Sequence, residues 1–168
     1  MKKLYLIRHS KSSWDNPNLS DYDRPLNNRG KKDRYSMAHF LSANNIHPDI
    51  VLCSPSIRTI KSLKAYKKIL NISAKNIYLK QELYETTYDK LLMYINTTDN
   101  TYSNLFLIAH NPTLNDLVNY FIRDFTENIP TSGIVGLEFD CDSWEKISKT
   151  NCNMFLFAYP KLFEQSID

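Results

Sequence analysis

Glycine is scarce in this sequence, with three in 168 residues, and cysteine is equally rare. So few glycines exclude a low-complexity chain, and 42% hydrophobic with 23% charged residues is the composition of a packed globular protein. Cys53, Cys141 and Cys152 are an odd set with neither a C-x-x-C pair nor a framework spacing. That excludes a disulfide scaffold and a structural zinc site, and leaves the three as small apolar side chains. No apolar stretch approaches the roughly 20 residues of a membrane span. The first apolar run stops at Ile7, short of a secretory signal, so the cytoplasm is the expected location and no membrane partner is expected. An excess of one charge is also missing: 21 basic against 18 acidic residues leave +3, too balanced to imply a nucleic-acid partner. The length suits about one domain, expected to span residues 1–168. A domain of this size buries about 70% of its unfolded-chain surface and needs no covalent staple.

What is present is an alternation. Leu4 to Ile7 reads as a buried strand, and residues Ser10 to Arg24 lack periodicity and read as a loop. Met37, Phe40 and Leu41 keep helical spacing up to a stop at Asn44-Asn45, and a second short strand follows at Asp49 to Cys53. Ser54-Pro55 is a helix-start signal, serine as cap and proline at the first position, for a helix to about Leu70. A weak strand at Ile77 to Leu79, a helix from Tyr88 to Ile95 and a strand at Leu105 to Ile108 come next. His110-Asn111-Pro112 repeats the start device, with Asn111 as cap, before the stripe Leu114, Leu117, Val118 and Phe121. Strands at Ile134 to Phe139 and Met154 to Tyr159 complete the set. The pattern predicts a three-layer α/β/α sandwich with a mainly parallel central sheet.

In that architecture ligands gather where strands end. The first strand ends on Arg8-His9, the second runs into Ser54-Pro55 with Arg58 one turn on, and the third ends at His110. Arginine offers a planar fork for two phosphate oxygens. Neutral histidine is a nucleophile, and protonated histidine a compact donor to negative charge. Two helix starts add backbone N–H groups. The shared ligand chemistry is an oxyanion.

Arg8-His9-Ser10 resembles the Arg-His-Gly signature of the histidine phosphatase superfamily, the phosphoglycerate mutase-like fold. Arg24-Pro25-Leu26-Asn27-Asn28-Arg29-Gly30, Ser54-Pro55-Ser56-Ile57-Arg58-Thr59 and His110-Asn111-Pro112-Thr113 look like its further motifs in the same order. Arg8-His9-Ser10-Lys11-Ser12 and Pro130-Thr131-Ser132-Gly133 are most similar to the branch of SixA-type phosphohistidine phosphatases. The resemblance implies that His9 accepts the phosphoryl group, giving a phosphohistidine intermediate that water hydrolyses. Arg8 and Arg58 would clamp the nonbridging oxygens and His110 would donate to them, with no metal and no cofactor. Arg24, Ser10, Asn111 and Ser132 are further substrate-binding candidates by motif match. The usual acid motif is not matched in Leu83 to Asp89, which offers Glu85 or Asp89 as general acid. An imidazole leaving group is easier to expel than an alkoxide, which favours phosphohistidine or another activated phosphoramidate, and a short chain without room for long insertions favours a substrate carried by a protein.

Two other readings stand beside this one: a phosphatase or mutase for small phosphorylated metabolites, and a catalytically silent phosphate-binding module that keeps the fold. Opposed protonation states of His9 and His110 predict a bell-shaped rate profile. Arg29 reads as an ion-pairing residue at the loop-to-helix turn. His39 and His47 read as surface or packing residues, Lys61, Lys64, Lys67 and Lys68 as a solvated face, and Trp14, Tyr22 and Tyr35 as packing under the loop. Whether the 10–24 loop closes over substrate is left open by its composition.

Overall fold

A computed structural model describes residues 1–164, so the last four positions of the expected domain, 165–168, lie outside the described residues. The strands are β1 (Lys2–Arg8), β2 (Ile50–Cys53), β3 (Ile77–Leu79), β4 (Asn104–Ala109), β5 (Ile134–Phe139) and β6 (Cys152–Ala158). They form one sheet in the order β3-β2-β4-β1-β5-β6. β1 runs parallel to β4, and β2 runs parallel to both β4 and β3. β5 is antiparallel to β1 and to β6, so the sheet is mixed and mostly parallel.

Side chains alternate across β1, which divides the apolar interior in two. Leu4 and Leu6 join Leu105, Leu107 and Val135 in one core; Tyr5 and Ile7 join Val51, Phe106 and Ile108 in the other. The first core is covered by α3 (Tyr88–Asn96) and α4 (Thr113–Phe121). The second is covered by α1 (Asn28–Ala43) and α2 (Ile57–Ile69), with the short α5 (Pro160–Glu164) against α1 through Phe163 and Phe40. This is the expected three-layer arrangement. In α4 the stripe Leu114, Leu117, Val118 and Phe121 is buried as its period demands, each side chain contributing about 1.5–3 kcal/mol.

Both helix starts differ from the sequence expectation. α2 begins at Ile57 with Ser56 as cap, three residues after Ser54. Ser54 and Pro55 belong instead to the turn off β2: the Ser54 N–H donates to Ile108 O, and its carbonyl accepts from Thr59 Oγ1. α4 begins at Thr113, with Pro112 in the cap position and the Asn111–Pro112 bond cis. Asn111 still accepts from a helix amide, the Asn115 N–H at 3.2 Å. Asn44 and Asn45 do end α1, Asn45 with φ 55° in the left-handed region.

The loop after β1 is tied shut at its base. The Ser13 N–H donates to Pro25 O and the Asn27 N–H to Lys11 O, with a lone bridge between Ser12 and Leu26. A single 3₁₀ turn, Asp21–Asp23, sits inside it. Asn27 caps α1 by accepting from the Gly30 N–H at 2.8 Å. Gly30 is required because a Cβ there would be driven into the Lys11 backbone.

Candidate active site

The carboxyl ends of β1 and β4 are neighbours because the two strands pair in register up to Arg8 and Ala109. Each strand's next residue is a histidine, and the two rings lie 5.3 Å apart between centroids. The His9 backbone is held from both sides: its N–H donates to Ala109 O, and its carbonyl accepts from the Ser132 N–H.

Hydrogen bonding settles the state of each ring. His9 Nδ1 is 2.8 Å from the Ser10 carbonyl, which only accepts, so Nδ1 carries the proton and Nε2 keeps its lone pair. That lone pair faces Arg58, whose Nε–H donates to it at 3.4 Å. His110 Nδ1 accepts from Arg58 Nη2 at 3.4 Å, and its Nε2–H donates to Ser54 Oγ at 2.8 Å. Burial holds His9 neutral, with a pKa lowered to about 3; the Ser10 carbonyl opposes that shift, while His110, Arg58 and Arg8 add to it. Burial, Arg58 and Arg8 lower His110 to about 4, against a raising effect of Asp21. At neutral pH both rings are therefore uncharged, including the His110 that the bell-shaped expectation needs as a cation.

Arg58 is buried, and its three nitrogens face in two directions. Nε and Nη2, the side-on edge, face the two imidazoles. Nη1 and Nη2, the end-on edge, donate to Asp21 O at 2.6 Å and to Asp21 Oδ2 at 2.9 Å. Asp21 also accepts from Tyr84 OH at 2.7 Å and from Arg24 Nη1 at 3.0 Å. These donors bring its pKa down to about 2 against the opposing effect of burial. Arg8 donates through Nη1 to Ile129 O, while its buried Nε has no hydrogen-bond partner among the described residues.

Ser10 and Ser132 lie beneath the catalytic candidates. Both are fully buried, and their hydroxyls meet at 2.6 Å. Ser132 adopts φ 63°, which turns its N–H onto the His9 carbonyl. The Ser10 N–H donates to Ser62 Oγ, which donates to Arg58 O, joining the segment after β1 that carries His9 to the helix that carries Arg58. Arg24 is buried with every guanidinium nitrogen engaged inside its own loop: Nε with Ser13 O, Nη1 with Asp21 and Nη2 with Ser12 Oγ. Its guanidinium stacks 3.2 Å over the Trp14 ring. Trp14 is thus not packed under the loop but 77% exposed, covering Arg24 from the solvent side. The Asn111 amide donates to Asn115, Asn128 and Ile129, fastening the 128–129 segment to α4.

Arg58 and His110 open into a cleft of about 650 Å³ that Asp21, Tyr84, Glu85, Asp89, Tyr88 and Asp116 also line. Glu85 and Asp89 are exposed, and neither bonds to a histidine among the described residues. Glu85 sits at φ 50°, and the Asp89 carboxylate accepts from Thr87 and from backbone at the start of α3. His39 and His47 are exposed, as are Lys61, Lys64, Lys67 and Lys68. Arg29 pairs with Asp33 and Glu164. All three cysteines are free, Cys53 buried with its pKa pushed up by burial.

Sequence reasoning missed Asp21, Ser54 and Tyr84. The available signal for Asp21 was a carboxylate three residues before Arg24 in a loop that returns toward cationic strand ends. Ser54 carries the Ser-Pro pattern of a helix cap, which masks its contact with His110.

An uncharacterized chloroplastic protein of Arabidopsis thaliana is 41% identical over 64 residues, which are 38% of this chain and 29% of that one. The match thus spans under a third of that relative's length. A protein assigned as the phosphohistidine phosphatase SixA of Agrobacterium tumefaciens shares the fold with TM-score 0.82 at 24% identity, over 95% of this chain and 98% of that one. The mycobacterial glucosyl-3-phosphoglycerate phosphatase, solved with VO3, gives TM-score 0.73 at 10% identity, over 95% and 100%. The model of the histidine phosphatase superfamily (branch 1) matches residues 4–120, well over half of the sequence and a span that contains Arg8, His9, Arg58 and His110. Through that match the chain belongs to the histidine phosphatase superfamily, branch 1.

Proposed function

We propose that the protein is a phosphatase in which His9 Nε2 takes up the phosphoryl group of a phosphoramidate, foremost phosphohistidine carried by a protein. The observation that carries this reading is the fixed tautomer of His9: the Nδ1–H is held by Ser10 O, so the Nε2 lone pair faces the Arg58 fork. In the first step the P–Nε2 bond forms as the bond from phosphorus to the substrate nitrogen breaks. A phosphoimidazole protonated on its other ring nitrogen departs as neutral imidazole, so this step needs no acid from the protein. Water then attacks the phosphohistidine, releasing phosphate and returning His9 to its starting state. Arg8, Arg58 and His110 stabilise charge on the transferring oxygens, which is most of what phosphoryl transfer asks of a protein. With that clamp in place the reaction proceeds without a metal ion.

Among the described residues no carboxylate bonds to either imidazole, which supports an activated leaving group over an alkoxide. The open cleft, walled by Tyr84 and Tyr88, supports a substrate presented on a larger molecule. The test is a pulse of labelled phosphohistidine protein in chelator, with a panel of phosphorylated metabolites as competitors. Acid-labile, alkali-stable label on His9, absent in His9→Ala, is the expected result. Faster turnover of a metabolite would reassign the substrate, and oxyanion binding without turnover would leave only a binding module.

A further inference from the structure

Arg58 can serve a phosphoryl group only if the correct edge of its guanidinium is presented, and a long side chain does not hold that orientation unaided. The side-on edge, Nε with one hydrogen of Nη2, is turned toward His9 Nε2 and His110 Nδ1. The end-on edge, Nη1 with the other hydrogen of Nη2, is occupied twice by one residue: Asp21 O takes Nη1 and Asp21 Oδ2 takes Nη2. We propose that Asp21 is the positioning residue that sets Arg58 for the phosphoryl oxygens; this rests on the function proposed above.

Two observations favour positioning over the opposite role, a carboxylate that competes with substrate for the anion seat. First, Asp21 takes the end-on edge of Arg58 and leaves Nε, on the side-on edge, to the imidazoles, so a phosphoryl oxygen at Nε and the carboxylate at Nη1 can be held together. Second, the carboxylate is itself anchored from separate parts of the chain. Arg24 Nη1 holds Oδ1 from within the loop, and Tyr84 OH, beyond β3, holds Oδ2. Tyr84 is in turn packed edge-on against Tyr22 and His110. An anchored carboxylate on the end-on edge is what an alignment role requires. Asp21 also raises the proton affinity of His110, so its influence reaches the second imidazole as well.

The experiment is a double-mutant cycle between Asp21→Ala and Arg58→Ala, read by kcat/KM on a phosphohistidine peptide and by affinity for inorganic sulfate. In the wild-type background Asp21→Ala is expected to lower kcat/KM by roughly 10- to 100-fold, the scale set by misplacing a reacting group by about 1 Å. Asp21→Asn should fall between, because its amide oxygen still accepts from Arg58. In the Arg58→Ala background the Asp21 effect should shrink, in both measurements, to the small part carried by its charge on His110. In the wild-type background the His110 ring should titrate lower without Asp21. A loss of equal size with and without Arg58 would overturn the proposal, and so would wild-type or better activity of Asp21→Ala, which would make the carboxylate a competitor. If Asp21→Ala does not fold, Tyr84→Phe carries the same cycle with an expected loss of roughly threefold, one hydrogen bond's worth. The sulfate arm is independent of turnover: a wild type without phosphatase activity would refute the proposed function while the sulfate cycle still decides the role of Asp21.

Discussion

Anion binding should load a proton onto His110, and the size of that effect follows from the site. His110 Nδ1 is an acceptor for Arg58 and the ring's pKa is lowered to about 4. A bound oxyanion reverses the need at that atom, because a protonated Nδ1 becomes a donor on the edge it shares with Arg58. Two unit charges roughly 4 Å apart at an effective dielectric near 20 attract by about 4 kcal/mol. At 1.36 kcal/mol per unit this raises the ring by about 3 units, from about 4 to near 7 in the complex. The proton goes to His110 and not to His9, because Asp21 already favours the charged form of the former and burial sets the latter lower, at about 3. The complex thus binds more protons than the free protein between pH 4 and 7, so affinity must rise as pH falls through that window, by about tenfold per unit. Sulfate is the ligand to use, being a dianion across the whole range. Calorimetric titrations between pH 4.5 and 8, with ring nitrogen shifts assigned by a His110→Gln variant, give the slope and the site. A dissociation constant independent of pH, or a neutral His110 in the saturated complex, would refute the reasoning.

Acid should destabilise the fold by a route that runs through the same pair. Both histidines have native pKa values below the ordinary 6.5, so the unfolded chain binds more protons and stability is lost as pH falls from about 6.5 toward 3. At pH 5 the cost is roughly 2 kcal/mol per ring, about 4 together; urea midpoints at pH 5 and 7 measure it, and His9→Gln or His110→Gln should each remove about half of the difference. Gly30→Ala should destabilise by about 1–3 kcal/mol despite alanine's better helix propensity of roughly 1 kcal/mol, because the added methyl strikes the Lys11 backbone; a thermal midpoint at or above wild type would show that the loop base yields without cost.

The residues that would touch the anion could be read from the sequence, whereas those that hold them in place could not, and the difference is physical. Arg8, His9 and His110 announce themselves because a short apolar run ending in a cation or imidazole has few meanings in an alternating α/β chain, and β1 and β4 pair directly. Arg58 follows from its distance along α2. The supporting groups carry no such local signature. Ser54 obeys a cap pattern, yet burial beside the end of β4 places its hydroxyl under the His110 ring, so tertiary contact overrides local preference. Arg24 was legible as an arginine suited to phosphate, but its loop had already taken up each of its nitrogens. Asp21 lies in an aperiodic stretch whose shape depends on where the loop base closes, which no spacing rule encodes. Ser10 and Ser132 sit 122 residues apart and share one hydrogen bond beside His9. Strand ends and the first turn of α2 deliver the arginines and imidazoles, while hydroxyls and one carboxylate fix their angles. Substitutions in the second set should therefore alter orientation, and hence rate, while leaving the family's recognisable residues in place.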